Sequence, residues 1–116
     1  MNSVGIIGFG RFGKVLANIL QKGFKIKAYD PNPIIEFPGV EFVDQKTILK
    51  EQVIFIAVPI SIFESVIRSI TPNLNSGTTI IDVCSVKKHP AEIMENHLDN
   101  NIGIIATHPM FGPDSF

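Results

Sequence analysis

Short apolar runs alternate with segments of helical periodicity along the whole chain. Strands are expected where Val and Ile cluster without polar alternation, because this composition suits strands that are buried on both faces of a sheet. These runs are Ser3 to Ile7, Lys25 to Tyr29, Val53 to Val58, Thr78 to Val83 and Ile102 to Ala106, with a shorter one at Val40 to Val43. The alternation predicts an α/β fold with a doubly wound, mostly parallel sheet of about six strands and helices on both faces.

Three helices are predicted between these strands. The first is followed by Gly23, the residue type most easily placed in a left-handed cap. The second begins at a capping-box pattern, Ser61 to Glu64, and is limited by Pro72. The third begins near Pro90, which a first helical turn tolerates, and buries Ile93, Met94 and Leu98. The apolar positions of the first two helices are Phe12, Val15, Leu16, Ile19 and Leu20, and Phe63, Val66, Ile67 and Ile70.

A glycine-rich segment, Gly8-Phe9-Gly10-Arg11-Phe12-Gly13, lies between the first predicted strand and the first helix. In a dinucleotide site the first glycine makes a tight turn, the second lets the backbone approach a pyrophosphate, and the third lets the helix pack closely on the strand. The helix that begins near Arg11 directs backbone N–H groups and the positive end of its dipole at the phosphates. This context makes the motif far more specific than a bare glycine triplet.

Asp30 closes the second strand, twenty residues after Gly10. Its carboxylate is able to accept hydrogen bonds from a ribose hydroxyl pair, whereas a 2′-phosphate would meet a like charge, with Pro31, Asn32 and Pro33 offering no cation. NAD is therefore expected in preference to NADP. The predicted cofactor-binding residues are Gly8, Phe9, Gly10, Arg11, Phe12, Gly13 and Asp30, together with Val58 and Pro59, which end the third long strand where the cofactor should pass.

Composition narrows the remaining classes. With 10 Lys and Arg against 11 Asp and Glu, no basic face is evident that would bind nucleic acid. The apolar runs are too short to span a bilayer and the N-terminus lacks a signal-peptide pattern, so we expect a soluble, cytoplasmic domain that covers residues 1–116. The single cysteine, Cys84, is interpreted as a small buried hydrophobe. No metal site is expected, because the three histidines have no acidic residues at ligand spacing.

Two further segments follow predicted strand ends: Asp82-Val83-Cys84-Ser85-Val86-Lys87 and Thr107-His108-Pro109-Met110-Phe111-Gly112-Pro113. With these two segments in this order and the glycine motif before them, the chain resembles the prephenate and arogenate dehydrogenase family of tyrosine biosynthesis. The resemblance covers essentially the whole chain and implies a Rossmann-type domain. It also implies oxidative decarboxylation of a cyclohexadienol, prephenate or arogenate, with hydride transfer to NAD.

The resemblance assigns catalytic roles to two of these residues. His108 would take the proton of the ring hydroxyl, and Ser85 would orient that histidine near the nicotinamide. Both residue types suit these roles, because a neutral imidazole accepts a proton near pH 7 and a hydroxyl donates and accepts at once. A turn or strand-cap role for either residue is the alternative.

The chain departs from the family in ending near Phe116, whereas members continue into a helical domain that closes the substrate cleft and forms most of the dimer. A surface that includes Met110 and Phe111 would then be exposed, so we expect a homo-oligomer or self-association. Only Arg11 and Arg68 are available to pair with a dicarboxylate substrate. Two alternatives therefore stay open: an NAD-binding module without catalysis, and the cofactor domain of a hydroxyacid-type dehydrogenase.

Overall fold

The computed structural model describes residues 2–32, 36–83 and 88–106. These residues contain six strands: β1 (Ser3–Ile7), β2 (Lys25–Tyr29), β3 (Val40–Phe42), β4 (Val53–Ile56), β5 (Thr79–Asp82) and β6 (Gly103–Ala106). They also contain four α-helices: α1 (Arg11–Leu20), α2 (Gln45–Ile48), α3 (Ile60–Ile70) and α4 (Lys88–His97). A 3₁₀ turn, Thr71–Asn73, follows α3.

All six strands are parallel and lie in the order β3-β2-β1-β4-β5-β6. The chain starts in the middle of the sheet, moves outward through β2 to β3, and then crosses back to β4 on the other side of β1. The order therefore reverses between β1 and β4, which is where doubly wound sheets open a crevice beyond their strand ends. The predicted doubly wound, Rossmann-type fold is confirmed, with a sheet that is parallel throughout.

The two faces of the sheet carry separate apolar clusters. On one face α1 packs over β1 and β2, burying Leu16 and Ala17 against Ile6 and Ala28. On the opposite face α2 lies over β1 and β2, while buried residues of α3 and α4 pack with Ile54, Ile56 and Ile80 of β4 and β5. The largest buried side chains there include Phe63, Ile67, Ile70, Ile80 and Met94.

Several helix predictions need correction. Gly23 is not in a left-handed cap: α1 ends through a right-handed Gln21, and the backbone N–H groups of Gly23 and Phe24 both donate to the Leu20 carbonyl. Ile19 is 43% exposed, because the buried stripe of α1 runs through Gly13, Leu16 and Ala17. The close approach at Gly13 turns this stripe toward the sheet.

The predicted capping box at Ser61 is also wrong. Pro59 is the N-cap of α3, with φ −58° and ψ 147°, and no side chain caps this helix. Because the ring of Pro59 fixes its φ, the chain enters the helix immediately after it and Ser61 lies inside the first turn. The burial of Phe63, Ile67 and Ile70, and the end of α3 before Pro72, are as predicted.

The remaining differences concern boundaries. The strands β4, β5 and β6 are one or two residues shorter than predicted, and α4 begins at Lys88, two residues before Pro90. Its apolar residues Ile93, Met94 and the adjoining Leu98 are buried, as predicted. The short helix α2 was not predicted, because its four residues carry no helical period. None of the described helices has the length and apolarity needed to cross a membrane.

Candidate functional site

The glycine-rich turn joins β1 to α1 at the carboxyl edge of the sheet. Gly8 has a φ of +95°, a conformation that other residues rarely adopt, and its N–H donates to the Tyr29 carbonyl at 2.9 Å. A Cβ placed on Gly8 would lie 2.6 Å from the Ala57 carbonyl oxygen and 2.7 Å from Cγ1 of Val58. The turn therefore requires a glycine here both for its backbone conformation and for its contact with the chain leaving β4.

The other two glycines of the motif have different surroundings. A Cβ on Gly13 would collide with the Gly8 carbonyl oxygen, so Gly13 lets α1 sit against the turn. Gly10 has open space around it, since no atom outside its adjoining residues lies within 4 Å of the position of a Cβ. It is the N-cap of α1, where no side chain caps the helix and no acidic residue occupies the first turn. The N-terminus of α1 therefore suits an anion, and Gly10 has no side chain that would keep the anion away from the backbone.

Asp30 lies directly beside this turn. Its Oδ2 accepts a hydrogen bond from the Phe9 N–H at 2.7 Å, and its Oδ1 accepts one from the Asn32 N–H at 2.8 Å. The carboxylate is half-buried and follows β2, whose Tyr29 is the register partner of Ile7. Each oxygen retains a second lone pair, so the carboxylate keeps the capacity to accept from a ribose hydroxyl.

The aromatic residues of the motif are part of the core. Phe9 is 1% exposed and makes edge-to-face contacts with Phe37 and Phe42, each at a centroid distance of 5.1 Å. Phe12 is half-buried against the same cluster. The Phe9 side chain is therefore not available to a ligand, and any part it takes in binding passes through its backbone.

Val58 and Pro59 complete this edge of the crevice. Val58 is 8% exposed and lies against Gly8, whereas Pro59 is exposed at the start of α3. The Ala57 N–H donates to the Ile7 carbonyl at 2.8 Å, which holds the chain after β4 alongside the turn. The structure thus brings together the predicted cofactor residues of three strand ends, around the point where the sheet order reverses.

The two predicted catalytic residues, Ser85 and His108, lie outside the described residues. Three residues before Ser85, the described Asp82 ends β5 at the same edge of the sheet and is fully buried. Sequence reasoning gave Asp82 no role, although an acid that ends an apolar strand is the kind of residue to examine. Within the described segments, no three His, Cys, Asp or Glu side chains form a cluster that fits a metal ion.

These features fit a dinucleotide. A turn bare of side chains at Gly10 admits a diphosphate, the α1 terminus supplies positive dipole charge, and the Asp30 carboxylate lies where a ribose hydroxyl pair needs acceptors.

Comparison with known proteins agrees with this geometry. Residues 35–115 match the family model described as prephenate dehydrogenase, nucleotide-binding domain. A probable arogenate/prephenate dehydrogenase of Methanocaldococcus jannaschii is 37% identical over 79 residues, which cover 66% of this chain and 18% of the relative. A chloroplastic arogenate dehydrogenase 1 of Arabidopsis thaliana is 34% identical over 120 aligned positions, covering 97% of this chain and 19% of the relative.

A solved structure has the same fold. The crystal structure of a prephenate dehydrogenase from A. aeolicus, in complex with hydroxyphenyl propionate and NAD+, superposes with a TM-score of 0.79 at 23% identity. The match covers 95% of this chain and 42% of that one. The chain spans about a fifth of the length of the two curated relatives, at 18% and 19%.

Proposed function

The chain belongs to the prephenate dehydrogenase family as its nucleotide-binding domain, and from this premise we propose that it binds NAD. We propose further that residues 1–116 act as one domain, the cofactor half of an enzyme that oxidises prephenate or arogenate. The observation that carries the proposal is the turn around Gly10, where open space meets an uncapped helix terminus beside the Asp30 carboxylate.

Each described residue has a place in this site. The backbone at Gly10 and the first turn of α1 receive the diphosphate, Asp30 accepts from the adenine-side ribose, and Val58 with Pro59 borders the path of the cofactor. When bound, the nicotinamide ring supplies the hydride acceptor of the oxidation. A carboxylate at Asp30 repels a 2′-phosphate, which supports NAD over NADP.

Calorimetric titration of NAD and NADP into the 116-residue chain tests the cofactor proposal. Gly10→Ala should weaken NAD binding by about tenfold or more, because a methyl group would occupy the space that the diphosphate needs. The melting temperature should change little, since nothing in the protein meets that methyl group. Gly23→Ala is the matched control: it too has open space, lies at the other end of α1, and should leave both quantities unchanged. Equal NAD affinity for both variants would contradict the proposal.

For the chemical step we propose His108 as the base that removes the ring hydroxyl proton, and Ser85 as the residue that orients it. The support is the family membership together with the motif in which each residue stands. In a preparation with turnover, His108→Asn should lower kcat by about 10²- to 10⁴-fold, because an amide does not act as a base. NAD affinity should persist. Parallel loss of turnover and NAD affinity would count against a role in chemistry.

We also propose that the chain self-associates through the sheet face that α1 occupies. Phe55, Ile81 and Ile105 form a row across β4, β5 and β6 on this face, and Ile105 is 47% exposed. Exposed apolar rows of this kind favour association.

We propose a cytoplasmic location as well. Two plant relatives are described as chloroplastic, so fractionation of source cells is the test of this location.

A further inference from the structure

The Asp30 carboxylate accepts hydrogen bonds from two backbone segments. One oxygen accepts from Phe9 N–H at 2.7 Å, inside the glycine turn, and the other from Asn32 N–H at 2.8 Å, in the chain after β2. Hydrogen bonds to an ionised carboxylate are shorter and stronger than neutral ones. The N–H of Phe9 belongs to the peptide that joins Gly8 to Phe9. This peptide lies in the turn that a diphosphate would approach.

The parallel register explains why these groups meet. Ile7 of β1 and Tyr29 of β2 are partners, and the last ladder bond runs from Gly8 N–H to the Tyr29 carbonyl at 2.9 Å. The next residues out of the sheet are Phe9 and Asp30, which lack a backbone ladder bond to each other in this pairing. The side chain of Asp30 thus extends the pairing of β1 and β2 by one bond, into the turn.

Phe9 is also held through its side chain. Its ring is 1% exposed and packs edge-to-face on Phe37 and Phe42. The ring and the N–H of Phe9 are thus both held, which fixes the peptide between Gly8 and Phe9, one residue before Gly10. Gly10 follows as the N-cap of α1, so the held residue directly precedes the helix terminus.

We propose that Asp30 is a positioning residue for the glycine turn, in addition to its proposed role as the ribose acceptor. It fixes the Phe9 peptide so that Gly10 and the terminus of α1 are preorganised for a diphosphate. The ribose role rests on the proposed NAD site, whereas the positioning role is a property of the protein without cofactor. One consequence is that replacing Asp30 weakens the binding of any diphosphate nucleotide, including one that has no ribose hydroxyls.

The first experiment measures amide hydrogen exchange by NMR in the cofactor-free chain. Asp30→Ala should speed exchange of the Phe9 amide by about tenfold, as expected for loss of a charge-assisted hydrogen bond, while the Gly8 amide keeps its rate. Asp30→Asn retains one carbonyl acceptor and should give an intermediate rate, and it serves if the alanine variant does not fold. Asp99→Ala removes the same charge at an exposed site and is the control. Unchanged Phe9 exchange in both Asp30 variants would overturn the proposal.

The second experiment separates positioning from ribose recognition. ADP and 2′,3′-dideoxy-ADP are titrated into the wild type and into Asp30→Ala. If Asp30 only accepts from the ribose, Asp30→Ala should weaken ADP binding and leave the affinity for the dideoxy compound equal or higher. If Asp30 is a positioning residue, Asp30→Ala should lower the affinity for both compounds, and equal or tighter binding of the dideoxy compound would overturn this role. If the chain binds no nucleotide, the proposed NAD site is wrong, and the exchange rate of Phe9 alone decides the positioning role.

Discussion

Asp44 shows how one side chain starts a helix that the sequence pattern does not reveal. It is the N-cap of α2, and its Oδ1 accepts from the Thr47 N–H at 2.8 Å. The hydrogen bonds with the side chain and backbone of Thr47 hold the pKa of Asp44 below its ordinary value of 3.8. The charged form is therefore favoured by folding.

This depressed pKa gives a pH dependence with a defined sign. The stability that the ionised cap contributes is present above the unfolded pKa of 3.8 and is lost as the pH falls through the lower folded pKa. Asp44→Asn retains a cap without the charge, so wild type should melt at a higher temperature than this variant at pH 7. The difference should shrink as the pH falls below 3.8. Melting curves across this range measure it, and a gap that is constant with pH would contradict the argument.

At the residue scale, the sequence predicted the features that follow from a local motif. It did not predict contacts that depend on how β1 and β2 are aligned in the sheet. The tight turn at Gly8 and the close approach at Gly13 are confirmed, because each follows from the motif itself. The bond between Asp30 and Phe9 was not predicted, since it requires knowing that Ile7 and Tyr29 are partners. The cofactor roles themselves, and those of Ser85 and His108, stay predictions.

At the scale of elements, a polar network joins the start of β1, the middle of β2 and the chain before β4, away from the candidate site. Glu51, which precedes β4, is 8% exposed and accepts from Ser3 Oγ of β1 at 2.5 Å. Its other oxygen lies 3.3 Å from Lys27 Nζ of β2. Because Glu51 is mostly shielded from water, its removal leaves the hydroxyl and the ammonium without this partner.

Glu51→Leu should lower the free energy of unfolding by about 1–2 kcal/mol, because it removes two hydrogen bonds of the network while water still reaches the half-buried Ser3 and Lys27. Ser3→Ala, which removes one bond of the network and no charge, should cost about 1 kcal/mol. Urea titrations followed by circular dichroism measure both. NAD affinity should be unchanged in both variants, since the network lies away from the candidate site. An unfolding midpoint equal to that of wild type in Glu51→Leu would show that the network adds no stability.

Element type was predictable here, while element ends were not. The continuous apolar run Val53 to Ile56 and the helical spacing of Phe63, Ile67 and Ile70 are strong sequence signals, because both place apolar side chains in the core. The ends of helices are harder to predict, because neighbouring residues compete for the capping positions. At α3 a proline with a fixed φ determined the start, so the Ser61 pattern had no effect. At the end of α1 the C-cap Gln21 is right-handed, and Gly23 donates to the Leu20 carbonyl without adopting a left-handed conformation.

At the scale of the whole molecule, the order of elements determined the topology. Strands alternating with helices, joined by right-handed crossovers, place β1 in the middle of the sheet and gather the ends of β1, β2 and β4 at one crevice. The position of the glycine turn in that crevice was therefore predictable before any contact was known. The two faces of the sheet are covered unequally. Among the described helices, α1 packs on one face, and α2, α3 and α4 pack on the other.

The face that carries α1 is incompletely covered among the described residues. Ile6 of β1 is fully buried beneath α1, whereas its neighbours along the same row, Phe55 and Ile81, are only half-buried. Ile105, at the end of this row on the edge strand β6, is 47% exposed. In the described part of the chain the other helices pack on the opposite face. Apolar exposure therefore rises steadily toward the edge of the sheet, where strands also offer unpaired backbone groups.

Ile105→Lys should reduce self-association of the chain, because a charge at the edge strand opposes pairing of both apolar surface and backbone. Light scattering coupled to size exclusion, over a range of protein concentrations, should report a mass closer to the 12.8 kDa monomer than for wild type. Ile62→Lys is a matched control, since Ile62 is 44% exposed but belongs to α3 on the other face. The control should keep the wild-type mass. If both lysine variants lower the mass equally, added charge rather than the α1 face governs association, and the proposed surface is wrong.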